Sequence, residues 1–312
     1  MIRIFFVGNL KVPFMQQDKN ILMEDNEVIT YDMAPFFRMG KSWNIRHPIN
    51  VLYHAKEIKD SDIIWCWIAD YHLLPFLVLA KLFRKPFLVH IGGWEVDNSP
   101  EINNGCQLRP MRGWVARQII RCSTRCMVPS ESYKKICLDL VPECKPAVVP
   151  NFIDADLYNA RLPEKELLCV TALCSMQASN VKGIPIFKQA GEILKPEGIT
   201  SKVINGIKRA DYINTLKKAK VYCQLSYSES FGISLVEAMA LGCVPVVSDR
   251  NALPRIIQDT GIVVPYGDAI TTAKAIKKAM TMDGTAARER ARYFSRDRKK
   301  AAVTKLIQGV LK

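Results

Sequence analysis

The sequence predicts an α/β protein built from two doubly wound domains. Short apolar strands alternate with longer helical patterns along the chain, an order typical of parallel sheets covered by helices on both faces. The 312 residues, 49% of them apolar, are enough for two ordinary domains that each bury a core. Proline and turn-forming residues at 150–154 interrupt the alternation. We therefore predict one domain over residues 1–150 and a second over 151–312.

The first half contains six predicted strands and four predicted helices. The strands are 2–7, 28–31, 62–68, 86–91, 125–128 and 147–149, and the helices are 47–58, 73–83, 110–121 and 131–140. The apolar run 73–82 is short and contains Pro75 and Lys81, so it predicts a buried helix rather than a membrane span.

The second half continues the same alternation. Its predicted strands are 167–172, 202–204, 221–225 and 244–247; its predicted helices are 183–194, 209–220, one that starts near 231, and a tail helix within 286–311.

The charge of the chain points to anionic partners. The net charge is +14, and the segment 288–312 supplies half of it, with nine basic residues against two acidic ones. Five further arginines flank Trp114, at 109, 112, 117, 121 and 125. Two interpretations stay open for them, contact with anionic lipid headgroups and an ordinary solvated helix face. Charge alone suggests nucleic-acid binding, and no recognition motif supports it, so we expect no nucleic-acid partner.

The cysteines and the first residues of the chain indicate the cellular compartment of the protein. None of the ten cysteines forms a CxxC pair or has partners at metal-site spacing, so we expect free thiols in a reducing cytosol and no metal site. The chain enters its first strand without a leader pattern. These features predict a cytoplasmic protein, with a peripheral position on the inner face of the membrane left open.

The most informative segment contains two carboxylates eight positions apart, Glu229 and Glu237. A predicted helix starts between them, and the free N–H groups of its first turn, with the helix dipole, favour a phosphate there. Gly232 would let that phosphate approach the backbone closely. Carboxylate, anion site and carboxylate in this order would suit the sugar, diphosphate and ribose of a nucleotide sugar. Two incidental acids on a buried helix are the alternative.

This segment resembles the retaining GT-B glycosyltransferases of the family 4 type, also called group 1, whose motif is Glu, seven residues, Glu. The similarity continues through the strand 242–248 (GCVPVVS) and through 261–265 (GIVVP). The resemblance implies a GT-B fold, with two Rossmann-like domains facing each other across a cleft and the last helix, about 296–312, crossing back to the first domain. It also implies transfer of a sugar from a nucleoside diphosphate to an acceptor bound mainly by the first domain, without a metal or other cofactor. A lipid-linked acceptor or a membrane-associated glycan would fit the basic segments.

The resemblance also implies roles for residues of the second domain. Glu229 would contact the donor sugar and Glu237 the ribose, while Lys182 with Gly183 fits the end of the family's phosphate-binding pattern. Ile207 and Lys208 lie where the family reads the base. The remaining donor-binding candidates supply backbone near the helix start: Ser230, Phe231, Gly232, Ile233 and Ser234.

The family's phosphate-binding arginine is missing, because the chain has Met176 and Gln177 at the corresponding place. Lys208 or Arg209 is a candidate substitute. The missing arginine and a shortened second domain leave one alternative function open, a non-catalytic GT-B subunit or scaffold.

The first domain contributes candidates that follow its fourth predicted strand. By the resemblance His90 would contact the donor sugar near the reacting carbon, although a buried core histidine is the alternative. Gly93, Trp94 and Glu95 are the candidates for binding the acceptor.

Overall fold

The chain forms two compact units. The computed structural model describes residues 1–33, 46–173 and 179–312, with Arg46 described by its backbone alone. The first unit is Met1–Val149 with Lys300–Lys312, and the second unit is Pro150–Lys299. Within the part of the chain that the structure describes, no helix combines the length and apolar composition needed to cross a membrane.

The first unit contains a six-stranded parallel sheet in the order β2-β1-β3-β4-β5-β6. Its strands are β1 (Arg3–Gly8), β2 (Glu27–Asp32), β3 (Ile63–Trp67), β4 (Phe87–His90), β5 (Arg125–Val128) and β6 (Pro146–Val148). Its helices are α1 (Pro13–Leu22), α2 (Arg46–Tyr53), α3 (Ala55–Asp60), α4 (Leu74–Leu82), α5 (Pro110–Cys122) and α6 (Glu131–Leu140).

Both faces of this sheet are buried. Ile4 and Phe6 of β1 belong to one apolar cluster, whereas Phe5 and Val7 belong to another, because successive side chains of a strand point to opposite faces. The first cluster also contains Val303, Leu306 and Ile307. The chain's last residues therefore complete the core of the first unit.

The second unit contains a five-stranded parallel sheet in the order β11-β10-β9-β7-β8. Its strands are β7 (Glu166–Leu173), β8 (Thr200–Asn205), β9 (Ala219–Gln224), β10 (Val244–Ser248) and β11 (Ile262–Val264). The helices of the remaining chain are α7 (Ala155–Asn159), α8 (Ile184–Leu194), α9 (Arg209–Lys218), α10 (Ile233–Ala240), α11 (Leu253–Ile257), α12 (Ala269–Met280), α13 (Thr285–Ala291) and α14 (Arg296–Leu311).

The strand order of the second unit fixes where a ligand site can form. From β7 the chain proceeds to β8 on one side and, later, to β9 on the other side. In open parallel sheets, ligands bind at such a switch point, beyond the carboxyl ends of the two strands. The segments that follow β7 and β9 contain Lys182 and Glu229 respectively.

Three element predictions were wrong in detail. The predicted helix 47–58 is two helices, α2 and α3, with His54 between them. The predicted tail helix is broken between α13 and α14, because Phe294 turns into the core and its carbonyl accepts a bond from the Ile153 N–H at 3.2 Å. The run 73–82 is not a fully buried helix, since α4 exposes Val78 and Leu82.

Candidate functional site

The loops after β7 and β9 lie against each other. The Tyr227 N–H donates to the Val181 carbonyl at 2.8 Å, and Gly183 adopts the left-handed conformation with φ of 66°. A Cβ atom at Gly183 would lie 2.0 Å from the Leu225 carbonyl oxygen, a distance that no side chain tolerates. Glycine is therefore required at 183, and the close approach sets Lys182 beside Glu229.

Glu229 accepts three hydrogen bonds on one oxygen. Lys182 Nζ lies 2.5 Å from Oε2, Gln224 Nε2 lies 3.0 Å away and Ser226 Oγ lies 3.4 Å away. The Lys182 and Glu229 side chains are only 24% and 11% exposed. The structure thus brings together two predicted site residues as an ion pair that is largely shielded from water.

The helix after Glu229 begins at Ile233, two residues later than predicted, with Gly232 as its N-cap at φ of 89°. The N–H groups of the first turn have no partner within a helix, so they remain donors toward the segment before it. Phe231 is 1% exposed, and its ring packs edge-on against Phe294 with centroids 5.2 Å apart. Phe231 therefore anchors the turn by its side chain and would meet a ligand only through its backbone. Ser230, Ile233 and Ser234 are half-buried around it.

Glu237 lies in α10 and is held from α9. Its Oε1 accepts from Arg209 Nη2 at 2.5 Å, and its Oε2 accepts from the Tyr212 hydroxyl at 3.0 Å. The Glu237 side chain is 9% exposed and that of Arg209 is 54% exposed. Arg209, considered from the sequence as a substitute for the missing arginine, thus pairs with the second carboxylate.

Both carboxylates act on one buried hydroxyl. Burial raises the pKa of Tyr222 well above its ordinary value, a hydrogen bond with Ser234 opposes that rise, and the charges of Glu237 and Glu229 add to it. The Tyr222 hydroxyl donates to Gln224 Oε1 at 3.2 Å. Hydrogen bonds through Gln224 connect this hydroxyl to Glu229, while Glu237 influences it by its charge.

The predicted base-reading residues follow β8. Ile207 and Lys208 are exposed, directly before α9. Their backbone and side chains are available at the same edge of the sheet as Lys182 and Glu229.

The predicted residues of the first unit lie at the end of β4. His90 is fully buried, and its ring stacks on Trp67 with centroids 3.6 Å apart. The Glu95 carboxylate turns back to accept the N–H groups of Gly92 at 3.0 Å and Gly93 at 2.9 Å. Burial raises the pKa of Glu95 to about 6, although these backbone bonds oppose the shift.

Trp94 is half-buried beside two arginines. The guanidinium of Arg112 lies 4.5 Å from the ring centroid and that of Arg109 lies 5.4 Å away. Arg112 also forms a forked ion pair with Asp70. Of the three acceptor candidates, Trp94 thus presents a side chain toward charged groups, while Glu95 organises its own loop.

The family model described as "Glycosyl transferases group 1" matches residues 192–300, which contain both carboxylates and the helix start between them. The matched stretch is about a third of the chain, and over it the chain is similar to this family. Two curated relatives align with shorter segments of it. The phosphatidyl-myo-inositol mannosyltransferase of Mycobacterium leprae is 42% identical over 71 residues, 22% of this chain and 19% of the relative. The corresponding protein of Mycolicibacterium smegmatis is 44% identical over 66 residues, 20% of this chain and 17% of the relative. The alignments thus span about a fifth of each relative's length.

Solved glycosyltransferase structures share the fold over almost the whole chain. HepE of Anabaena, in complex with UDP and glucose, aligns with a TM-score of 0.71 at 14% identity, covering 99% of this chain and 100% of HepE. Sucrose-phosphate synthase of Thermosynechococcus elongatus aligns with a TM-score of 0.70 at 14% identity, covering 99% of each chain. The lipopolysaccharide outer core galactosyltransferase WaaB aligns with a TM-score of 0.71 at 14% identity, again covering 99% of each chain. The predicted fold class, GT-B with two Rossmann-like domains, is confirmed.

Sequence reasoning missed two residues of this candidate site. Gln224 is a buried polar residue at the carboxyl end of an apolar strand, and that position was its signal. Tyr212 is three positions after Arg209 in α9, so the two share a helix face. The contacts of Arg209 and Tyr212 with Glu237 depend on how α9 packs near α10, which no local sequence pattern predicts.

The place of the missing family arginine, Met176 and Gln177, lies outside the described residues.

Proposed function

We propose that this protein is a retaining glycosyltransferase that transfers a sugar from a nucleoside-diphosphate sugar to an acceptor, without a metal ion. The observation that carries the proposal is the Lys182–Glu229 pair at the switch point of the second unit, next to the first turn of α10. The match of residues 192–300 to the group 1 family model supports the donor class, and a structural neighbour of the same fold was solved with UDP-glucose.

The positive charge at this place suits a leaving diphosphate. A lysine ammonium has three donors that can turn toward phosphate oxygens, and its bond to Glu229 holds it at this place. The first-turn N–H groups of α10 and the helix dipole add fixed donors. Such preorganised donors stabilise the charge that develops on the leaving group, which is the task a metal ion performs in other enzymes.

The two carboxylates would bind the hydroxyls at either side of the diphosphate. The three described donors to Glu229 all reach Oε2, so we assign Oε1 to the donor sugar. Glu237 would bind the ribose, and Ile207 with Lys208 would lie along the base. Retention of configuration is the outcome implied by the resemblance of the Glu229–Glu237 motif, and NMR of the newly formed anomeric centre tests it.

The test of the residue roles is a comparison of matched variants. We expect Lys182→Ala and Glu229→Gln each to reduce transfer by orders of magnitude, while Lys188→Ala and Glu192→Gln on the exposed side of α8 leave it unchanged. The assay is release of nucleoside diphosphate with a panel of UDP-, GDP- and ADP-sugars, with and without EDTA. Full turnover by the Lys182 and Glu229 variants would refute their roles, and loss of activity in EDTA would refute the metal-independent mechanism.

The proposal also includes the class of acceptor. Gly93, Trp94 and Glu95 form the predicted acceptor region, and we propose a lipid-linked acceptor or a membrane-associated glycan. The name of the mycobacterial relatives, phosphatidyl-myo-inositol mannosyltransferases, refers to a phospholipid.

A surface of the first unit supports peripheral contact with an anionic membrane. Helices α4 and α5 expose Val78, Leu82, Met111 and Trp114, each more than half exposed. Their carboxyl ends lie together, because Lys81 Nζ approaches Cys122 Sγ at 3.1 Å. Apolar side chains among lysines and arginines are the composition of membrane-surface helices.

Vesicle sedimentation tests that contact. We expect the protein to bind vesicles containing phosphatidylglycerol and not vesicles of phosphatidylcholine alone. Trp114→Ala combined with Leu82→Ala should weaken binding, whereas Ile270→Ala, an equally exposed apolar residue of the second unit, should not. Equal binding by the two variants would refute the surface.

A cytoplasmic location completes the proposal. The nine cysteines of the described residues are all free thiols, as expected in a reducing compartment. The alternative of a non-catalytic scaffold is not favoured, because a decayed donor site has no need of the shielded Lys182–Glu229 pair. Calorimetry decides between them: no nucleotide binding at millimolar concentration would indicate the scaffold.

A further inference from the structure

Two side chains of α9 hold the carboxylate of a different helix. Arg209 and Tyr212 lie in the first turn of α9, three positions apart, and the guanidinium lies 5.2 Å from the centroid of the Tyr212 ring. One donates to Glu237 Oε1 and the other to Glu237 Oε2. Each carboxylate oxygen therefore has its own donor, and the plane of the carboxylate is fixed.

This arrangement leaves room for two further donors. An ionised carboxylate has about four lone-pair sites, and the two bonds from α9 use one on each oxygen. One site on each oxygen remains. Two hydroxyls on neighbouring carbons of a pentose form a pair of donors that matches two acceptors held in one plane.

Burial and neighbouring charges keep Arg209 and Tyr212 in the protonation states that the arrangement requires. Burial opposes the charge of Arg209, but the bond to Glu237 and its charge together raise the pKa of Arg209 above its ordinary value. Burial also raises the pKa of Tyr212 well above its ordinary value, and the charges of Tyr222 and Glu237 raise it further. Tyr212 thus stays a hydroxyl donor, and Arg209 supplies the counter-charge that a shielded carboxylate needs.

We propose that Arg209 and Tyr212 are positioning residues for Glu237, and that they set the preference of the site for a ribonucleotide over its 2′-deoxy form. The inference rests on the proposed function, in which Glu237 binds the ribose. Tyr212 stops the carboxylate from rotating about its last side-chain bond, and Arg209 holds the other oxygen by a charged hydrogen bond. A carboxylate that rotates freely binds a ligand with one hydroxyl nearly as tightly as a ligand with two. The preference for the ribonucleotide over its 2′-deoxy form is then lost.

A simpler interpretation is that the ion pair only stabilises the packing of α9 against α10. In that case its removal would lower the melting temperature and would reduce the affinity for ribonucleotides and deoxynucleotides equally. A positioning role changes the ratio of ribonucleotide to deoxynucleotide affinity. That ratio is therefore the decisive measurement.

The experiment is calorimetric titration of the full chain with UDP, GDP and ADP and with their 2′-deoxy forms. We expect the wild type to bind the ribonucleotide about tenfold more tightly than the deoxynucleotide, the value of one hydrogen bond to a charged group. Tyr212→Phe and Arg209→Ala should reduce this ratio to below about threefold through loss of ribonucleotide affinity alone. Arg209→Lys, which keeps the charge, should retain most of it. Tyr293→Phe, in the turn between α13 and α14, is the control.

Each outcome has one meaning. An unchanged ratio in Tyr212→Phe and Arg209→Ala, with the wild type still discriminating, overturns the positioning role and leaves the proposed function intact. A wild type that binds nucleotides without discrimination overturns both the positioning role and the assignment of Glu237 to the ribose. A wild type that binds none of these nucleotides at millimolar concentration overturns the proposed function together with this inference.

Discussion

The close approach of two loops at Gly183 gives a prediction that tests the architecture of the site without any knowledge of substrates. We expect Gly183→Ala to destabilise the second unit more than Gly198→Ala does. Both glycines have positive φ, 66° and 75°, but an added Cβ meets the Leu225 carbonyl oxygen at 2.0 Å in the first case and nothing within 4 Å in the second.

The magnitude follows from what the two variants share. Each places alanine in the left-handed region at a cost of about 1 to 2 kcal/mol, and each reduces the entropy of the unfolded chain equally, so both effects cancel in the difference. The remaining clash requires the two loops to separate by roughly 1.4 Å to reach an ordinary contact of 3.4 Å. That separation lengthens the Tyr227–Val181 hydrogen bond of 2.8 Å beyond bonding distance. One broken backbone bond and the strained packing amount to about 1 to 3 kcal/mol.

Scanning calorimetry is the appropriate assay. All five tryptophans precede residue 115, so tryptophan fluorescence reports on the first unit and not on the second. A difference of 1 kcal/mol shifts the midpoint of a unit this size by about 2 to 4 °C. We therefore expect Gly183→Ala to melt several degrees below Gly198→Ala. Equal midpoints would refute the close approach of the loops, and with it the placement of Lys182 beside Glu229.

Two further predictions concern buried groups in each unit. Because the folded pKa of Glu95 is about 6 against an ordinary 4.5, its buried charge costs stability above pH 6 and nothing below pH 4.5. The unfolding free energy of wild type minus that of Glu95→Gln should thus fall by about 2 kcal/mol between pH 4.5 and 7 in urea titrations, and a pH-independent difference would contradict the raised pKa. In the second unit, Phe231→Ala should cost about 3 to 5 kcal/mol and Phe231→Leu clearly less, since only alanine removes the contact with Phe294; equal losses in calorimetry would place the ring outside the core.

The elements that were predicted well are those with local signals. The helix predicted over 131–140 is α6, which begins after Ser130, whose hydroxyl accepts a bond from the Tyr133 N–H at 3.4 Å. Helix α1 has no such cap, and no helix was predicted there, although Pro13 suits its first turn. The break before α14 also has no local cause. Phe294 leaves the helical pattern because its ring fits beside Phe231, a contact across more than sixty residues of sequence.

The same distinction between local signals and long-range packing applies to the candidate site. Lys182 and Glu229 could be predicted because strand order fixes where the carboxyl ends of β7 and β9 lie, and any chain of this topology brings those ends together. The partners of Glu237 could not, since they depend on how α9 approaches α10. The prediction that Glu237 binds ribose hydroxyls did not include the partners that the chain itself supplies, a guanidinium and a phenol.

Both acids of the motif thus have a cation from their own chain, Lys182 for Glu229 and Arg209 for Glu237. An isolated carboxylate in a shielded place would be costly, and each cation offsets that cost before any ligand contributes. The two ion pairs differ in whether a bound nucleotide sugar would compete with them. Under the proposed function, a diphosphate would compete with Glu229 for the Lys182 ammonium, because both are anions. Ribose hydroxyls would not compete with Arg209, because they would donate to acceptor sites on Glu237 that Arg209 and Tyr212 do not use. Added salt should therefore weaken binding of a nucleoside diphosphate far more than binding of the nucleoside alone, since only the first exchanges one charged partner for another.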